Sequence, residues 1–181
     1  FHPALFASLL GQFVVHLGTM VYAVHQAKTH LSDDYEPDLD GMFQPGILNT
    51  VVFLVSSVQQ TTVFFVNLQG RPFMTGVTEN RPLMWSLAAT FTLTFMFASE
   101  TVPGLNRYFQ LVPFPDESFR TFILTILALD LLVTFVWDRL MKLIFSRDIL
   151  VAGWSSTSRK EVYSFLQTFG MMALVMHWVM G

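Results

Sequence analysis

Phe43–Leu83 reads FQPGILNTVVFLVSSVQQTTVFFVNLQGRPFMTGVTENRPL, and this stretch decides the fold. From Gly41 to Gly70 there is no Lys, Arg, Asp or Glu, a run of about 30 residues. Roughly 20 are enough to cross a bilayer as a helix. A turn punctuated by Gly70, Pro72 and Gly76 follows, with Arg71 and Arg81 as its positive charges, and the chain is apolar again from Leu83. The pattern is a membrane helix, a short basic loop and a second membrane helix.

Composition extends that reading to the whole chain. Of the 181 residues, 52% are hydrophobic and only 13% charged, about half the charged share of an ordinary soluble domain. The apolar residues are gathered into long runs that a soluble core does not need. The fold class is therefore all-α, a polytopic membrane bundle of four helices with a candidate fifth at the C-terminal end. The net charge of −3 comes with no basic patch, which argues against a nucleic-acid partner. With no cysteine there is no disulfide framework, thiolate metal site or cysteine nucleophile.

Working outward, the first span is expected over 3–27. It opens on Phe1 inside an apolar run, with no charged leader or cleavage site, so it reads as a mature helix in part of something longer. Ser8, Gln12 and His16, four apart, form its polar edge. His16 could carry a proton or bind a metal, but no second ligand lies at suitable spacing on that face, and a hydrogen-bonded structural histidine is preferred. The following loop is acidic: Asp33, Asp34, Glu36, Asp38 and Asp40 do not complete a calcium-loop pattern, so it reads as solvated.

The second span is placed at 46–68. Asn49, Ser56, Gln60 and Asn67, spaced seven, four and seven apart, share one face at about 100° per residue. Val51, Leu54, Val58 and Phe65 occupy the other. Amides facing lipid would lack partners, so the stripe is expected to face protein, either bonding between helices or lining a transport path. The third span is placed at 83–101, ending at Glu100, and a proline-rich loop follows. The fourth, 119–145, carries Asp130 near its middle, with Thr134 and Asp138 on the same side. A carboxylate at that depth is costly and is a functional candidate by default. The plainer expectation is a helix–helix hydrogen bond to the amide stripe, Gln60 first. Asp138, Arg139, Lys142 and Arg147 would mark the headgroup boundary. The candidate intramembrane polar residues are thus Asp130, Gln60, Asn49, Asn67, His16 and Gln12, and no catalytic, cofactor-binding or metal residue is assigned.

Positive charge sets the orientation. Arg71 and Arg81 in the second connection, and Arg139, Lys142, Arg147, Arg159 and Lys160 after the fourth span, place those segments in the cytoplasm and the acidic loop on the luminal side. Residues 1–145 form the bundle and 146–181 a tail. Its charge-free run from Val162 reads as a fifth span, an interfacial helix, or sequence that does not fold as written.

Several blocks resemble one family. QPGILNT, Gln59-Gln60 and FFVNLQGRPFMTGVTENRPLMWS are similar to the C-terminal membrane region of type V-A P-type ATPases, the endoplasmic-reticulum helix dislocases. LGQFVVHL (Leu10–Leu17) resembles the family's first helix in this region, and Leu129-Asp130 and Asp138-Arg139 its L-D and D-R pairs. The likeness covers Phe1 to Phe145, the last four of ten core helices. Arg81 stands where lysine is usual, and the tail has no counterpart. The family's phosphorylation motif D-K-T-G-T and dephosphorylation motif T-G-E are absent here. The resemblance therefore implies a support bundle that hydrolyses no ATP itself. ATP and Mg2+ would act in the parent chain. The implied partners are the lipid bilayer, the other helices and cytosolic domains of the same ATPase, and a transmembrane-helix cargo. The implied location is the endoplasmic-reticulum membrane. The competing function is part of an unrelated secondary transporter or channel with Asp130 and Gln60 lining its pathway. A third is an intramembrane scaffold.

Overall fold

The computed structural model describes residues 2–32, 41–68, 76–77, 79–148, 151 and 159–180. The acidic run 33–40, positions 69–75 of the basic loop and part of the tail lie outside the described residues. Six helices are described: α1 Pro3–Lys28, α2 Ile47–Asn67, α3 Arg81–Ala98, α4 Pro103–Tyr108, α5 Glu117–Phe145 and α6 Arg159–Met180. The described residues contain no strand.

Their ends follow from local chemistry. Pro3 opens α1, where a missing N–H costs nothing, and the His2 ring caps it by accepting from Ala4 N. Asn80 accepts from Leu83 N at the start of α3, and Asp116 from Phe119 N at the start of α5, each supplying an oxygen to an otherwise orphaned donor. α3 stops at Ala98, not at 101, because Glu100 turns to φ 56°. Glu100 N then reaches Phe97 O and Thr101 N reaches Met96 O, the two bonds of a Schellman cap. Gln110 (φ 57°) closes α4 in the same way. That short helix interrupts the loop expected after the third span.

Among the described residues three helices are long and apolar enough to cross a membrane: α1, α2 and α5. At about 1.5 Å per residue they measure roughly 39, 31 and 43 Å, against roughly 30 Å of hydrocarbon. α3 and α6 are not among them. α3 has 18 residues and opens on Arg81, so its apolar part is short.

The helices alternate in direction. Gln12 meets Asn67 and His16 meets Gln59, so α2 runs against α1. Ser8 meets Asp138, His16 meets Asp130 and Tyr22 meets Phe122, so α5 also runs against α1 along its whole length. Phe53 beside Phe97 sets α3 against α2. The packed seam divides into two halves. Ala23, Ala27, Val51, Leu54, Val55, Val58, Ile123 and Leu127 fill the half toward the C-terminal end of α1. The other half is polar. Outside, α1 shows Phe6, Leu10, Phe13, Val14, Leu17 and Val21, a surface suited to hydrocarbon. The tail helix α6 packs along α3, and Phe165 stacks on Phe65 of α2.

Candidate functional site

The polar half of the seam is built from i, i+4 edges on two antiparallel helices. α1 presents Ser8, Gln12 and His16, and α5 presents Asp138, Thr134 and Asp130 in the opposite order. All three α5 side chains are buried, Asp130 at 2% and Asp138 at 1% exposure.

Nearest the α1 N-terminus, Ser8 Oγ donates to Asp138 Oδ1 at 2.7 Å. Lys142 Nζ donates to Asp138 Oδ2 at 2.8 Å, and Arg139 lies 3.4 Å from the same oxygen with its guanidinium over the Phe135 ring. Lys142 is only 3% exposed. Asp138 and Lys142 therefore turn inward as a buried pair and do not mark a headgroup boundary. An i, i+4 spacing lets the two charges neutralise each other on one helix face. Beside them, Trp137 Nε1 donates to Ala7 O at 3.0 Å and its indole covers Gly11, where a Cβ would collide with the ring.

The next rung joins α1 to α2. Asn67 Nδ2 donates to Gln12 Oε1 at 2.9 Å, Gln12 Nε2 donates back to Asn67 Oδ1 at 3.1 Å, and Gln12 Nε2 also reaches Ser8 Oγ at 2.9 Å. One further turn into the membrane, His16 Nδ1 meets Asp130 Oδ2 at 2.9 Å and Oδ1 at 3.1 Å. Gln59 Nε2 donates to the main-chain oxygen of His16 at 2.8 Å and lies 3.4 Å from Asp130 Oδ1. That amide touches all three long helices. His16 Nε2 and Thr134 Oγ1 are buried without a partner among the described residues.

Of the six residues picked from the sequence, Asp130 and His16 come together, and so do Gln12 and Asn67. Asn49 and Gln60 do not join them. The partner expected from Gln60 is supplied by Gln59, because α2 packs its Val51, Leu54, Val55 and Val58 face inward and Gln59 borders that face. Asn49, Ser56 and Gln60 lie on the exposed side of this chain. Asn49 bonds locally to Gln44 O. Sequence reasoning missed Ser8, Asp138 and Lys142 as an inward unit, although the carboxylate–lysine spacing of four is a legible signal.

A cleft of about 400 Å³ opens between α1 and α2. Leu9, Phe13, Leu17, Met20 and Val63 form its apolar part, and Gln12, His16, Gln59 and Asn67 its polar part. Chemically, the seam can share a proton between an imidazole and a carboxylate and can fix the register of three helices. Among the described residues no three His, Asp or Glu side chains come together to hold a metal ion.

Long apolar helices keyed by a buried polar seam define a polytopic helical membrane protein. The chain is 32% identical over 146 residues to the endoplasmic reticulum transmembrane helix translocase spfA of Aspergillus fumigatus, a match covering 81% of this chain and 11% of that protein. It is 31% identical over 148 residues to the endoplasmic reticulum transmembrane helix translocase of Saccharomyces cerevisiae, covering 82% and 12%. It is 35% identical over 164 residues to the "Probable manganese-transporting ATPase PDR2" of Arabidopsis thaliana, covering 87% and 14%. No family model matches the sequence. The chain belongs to the type V P-type ATPases and corresponds to a stretch of their C-terminal region. It spans only 11–14% of the length of these relatives.

Proposed function

We propose that the chain is the membrane-support bundle of an ATP-driven P-type ATPase that dislocates transmembrane helices at the endoplasmic reticulum. The observation that carries this is the similarity, running through 81–82% of the chain, to proteins named transmembrane helix translocases. ATP and Mg2+ act in the remainder of the parent chain, since no phosphorylation motif lies here. The bundle's part is mechanical. Its seam ties α1, α2 and α5 so that they hold a fixed geometry while other helices move.

In this proposal α3 is a fourth span. α2 and α5 run in the same direction, since Phe65 lies beside Phe135 and Gln59 beside Asp130. The chain must therefore return across the membrane between them, and α3 is the long helix in that interval. The basic loop is then cytoplasmic and the acidic loop luminal. Cysteines placed at Thr75 and Ser32 should label from opposite faces of a microsome, and one placed at Gln110, between α3 and α5, should label from the face opposite Thr75. Labelling of Thr75 and Gln110 from the same face would refute the fourth crossing. The full reading frame should carry D-K-T-G-T upstream, and its absence would remove the ATPase.

A further inference from the structure

We propose that an ordered water molecule sits in the middle of the seam, hydrogen-bonded to His16 Nε2, Thr62 Oγ1 and Thr134 Oγ1, where it joins α1, α2 and α5. Among the described residues four buried side-chain polar atoms lack a hydrogen-bond partner, and these are three of them. Register brings the three to one level. Gln59 lies beside Asp130 and Phe65 beside Phe135, so α2 and α5 run in the same direction through this part of the seam. Thr62 is three residues beyond Gln59 and Thr134 four beyond Asp130, rises of roughly 4.5 and 6 Å toward the same end. His16, bonded to Asp130, stands on the antiparallel α1, whose Cα–Cβ bonds tilt toward that end, while those of the two threonines tilt back toward His16. Both threonines face the seam. Thr62 continues the inward line of Val51, Val55 and Val58, Thr134 follows Ile123, Leu127 and Asp130, and each is 0% exposed.

These two hydroxyls behave unlike their neighbours. A threonine inside a helix can satisfy its hydroxyl on the carbonyl four residues earlier. Thr61, Thr90, Thr94, Thr121, Thr125 and Thr168 do so. Thr62 and Thr134 do not, although they are the most deeply buried threonines among the described residues. Left dry, two hydroxyls and a ring nitrogen would each bear the cost of desolvation with no bond in return. A metal ion would need groups that only offer lone pairs, whereas a hydroxyl and an imidazole also carry protons to donate. Water donates and accepts, so it fits either tautomer of the ring. Buried waters make about three bonds to polar groups that otherwise have none. Such a molecule extends the hydrogen-bonded line from Asp130, through the imidazole, to both neighbouring helices.

The experiment uses the full-length protein and reads the sign of a hydroxyl deletion. Thr62→Val and Thr134→Val keep the shape of the side chain. In a dry seam each removes an unsatisfied polar group and raises the thermal unfolding midpoint. With a shared water each lowers it, and the double variant falls by less than the sum of the two, because losing either hydroxyl already loosens the same molecule. A raised or unchanged midpoint in either single variant, or strict additivity, would overturn the proposal. A density map fine enough to show waters is the second readout. A peak within about 3.2 Å of both hydroxyls and Nε2 is expected, kept in Thr134→Ser and lost in Thr134→Val. No peak, hydroxyls bonded to each other or to carbonyls, or a peak that follows added sodium would overturn it as well. None of these outcomes depends on the ATPase assignment, which the reading frame and the microsome labelling test separately.

Discussion

Gly11→Ala should destabilise the bundle even though alanine is the better helix former. The added Cβ would stand under 3.0 Å from several atoms of the Trp137 indole. The ring is not free to swing aside, because Nε1 donates to Ala7 O at 3.0 Å. Overpacking of this kind costs about 1–3 kcal/mol. Losing the indole hydrogen bond adds about 0.5–1.5 kcal/mol. Helix propensity returns about 1 kcal/mol. The net is a loss of about 0.5–3.5 kcal/mol on these terms. Gly18 is the internal control: it lies on the same helix, but nothing stands within 4 Å of its added Cβ. There Gly→Ala should stabilise by about 0.5–1 kcal/mol. The assay is denaturant unfolding of the purified full-length protein in one detergent, with both variants against the parent. Opposite signs are expected. If the two variants stabilise alike, the indole is not seated on Gly11 and the α1–α5 packing described above is wrong.

Further outcomes follow from the seam. Asp130→Asn keeps a polar partner for His16 and should change stability by less than about 1 kcal/mol, whereas Asp130→Leu strands the imidazole and should cost about 1–3 kcal/mol. Loss of ATP-driven transport in a stable Asp130→Asn protein would show that the carboxylate acts in the mechanism. Asp138→Asn should be much worse, about 3–5 kcal/mol, because it leaves the Lys142 ammonium buried without its counter-charge. The double change with Lys142→Met should recover most of that loss, as a double-mutant cycle in unfolding free energy would show. Gln110→Gly should gain about 0.5–1 kcal/mol, since Gln110 is exposed in the left-handed region and glycine enters it without a Cβ penalty. An unchanged midpoint would mean the turn relaxes when the side chain is removed.

The helices were legible because long apolar runs opening near Pro3, Pro45, Pro82 and Pro115, the first three free of Lys, Arg, Asp and Glu over most of their length, have few other readings in a membrane protein. The two polar edges, Ser8–Gln12–His16 and Asp130–Thr134–Asp138, were also legible, each from its own i, i+4 spacing. Their pairing was not. His16 and Asp130 are 114 positions apart, and no local pattern reports which edge faces which. For the same reason a histidine that looked solitary on its own helix proved to have a carboxylate across the seam. On α2 the amide period drew attention to Gln60, while packing volume decided the inward face: the valines and Leu54 fill the centre and bring Gln59 with them. Asp138 and Lys142 looked like a headgroup boundary because charges near a helix end are normally solvated, and their burial depends on α1 lying across them.

The chain order of the seam bears on how the protein is made. α1 leaves the ribosome with Gln12 and His16 turned toward a bilayer that offers them nothing. α2 comes next and carries both amides that answer them, Asn67 for the Gln12 carboxamide and Gln59 for the His16 carbonyl. By the time α5 is synthesised, the imidazole that will receive Asp130 is already held in place by its neighbour. Asp138 needs less preparation, because Lys142 follows four residues later on the same helix and the pair can enter the membrane as a neutral unit. The Gln12 carboxamide therefore waits only as long as the next helix takes to emerge, whereas the His16 imidazole waits for α5, and a truncated α2 would expose the insertion machinery to an α1 whose carboxamide it has no means to satisfy.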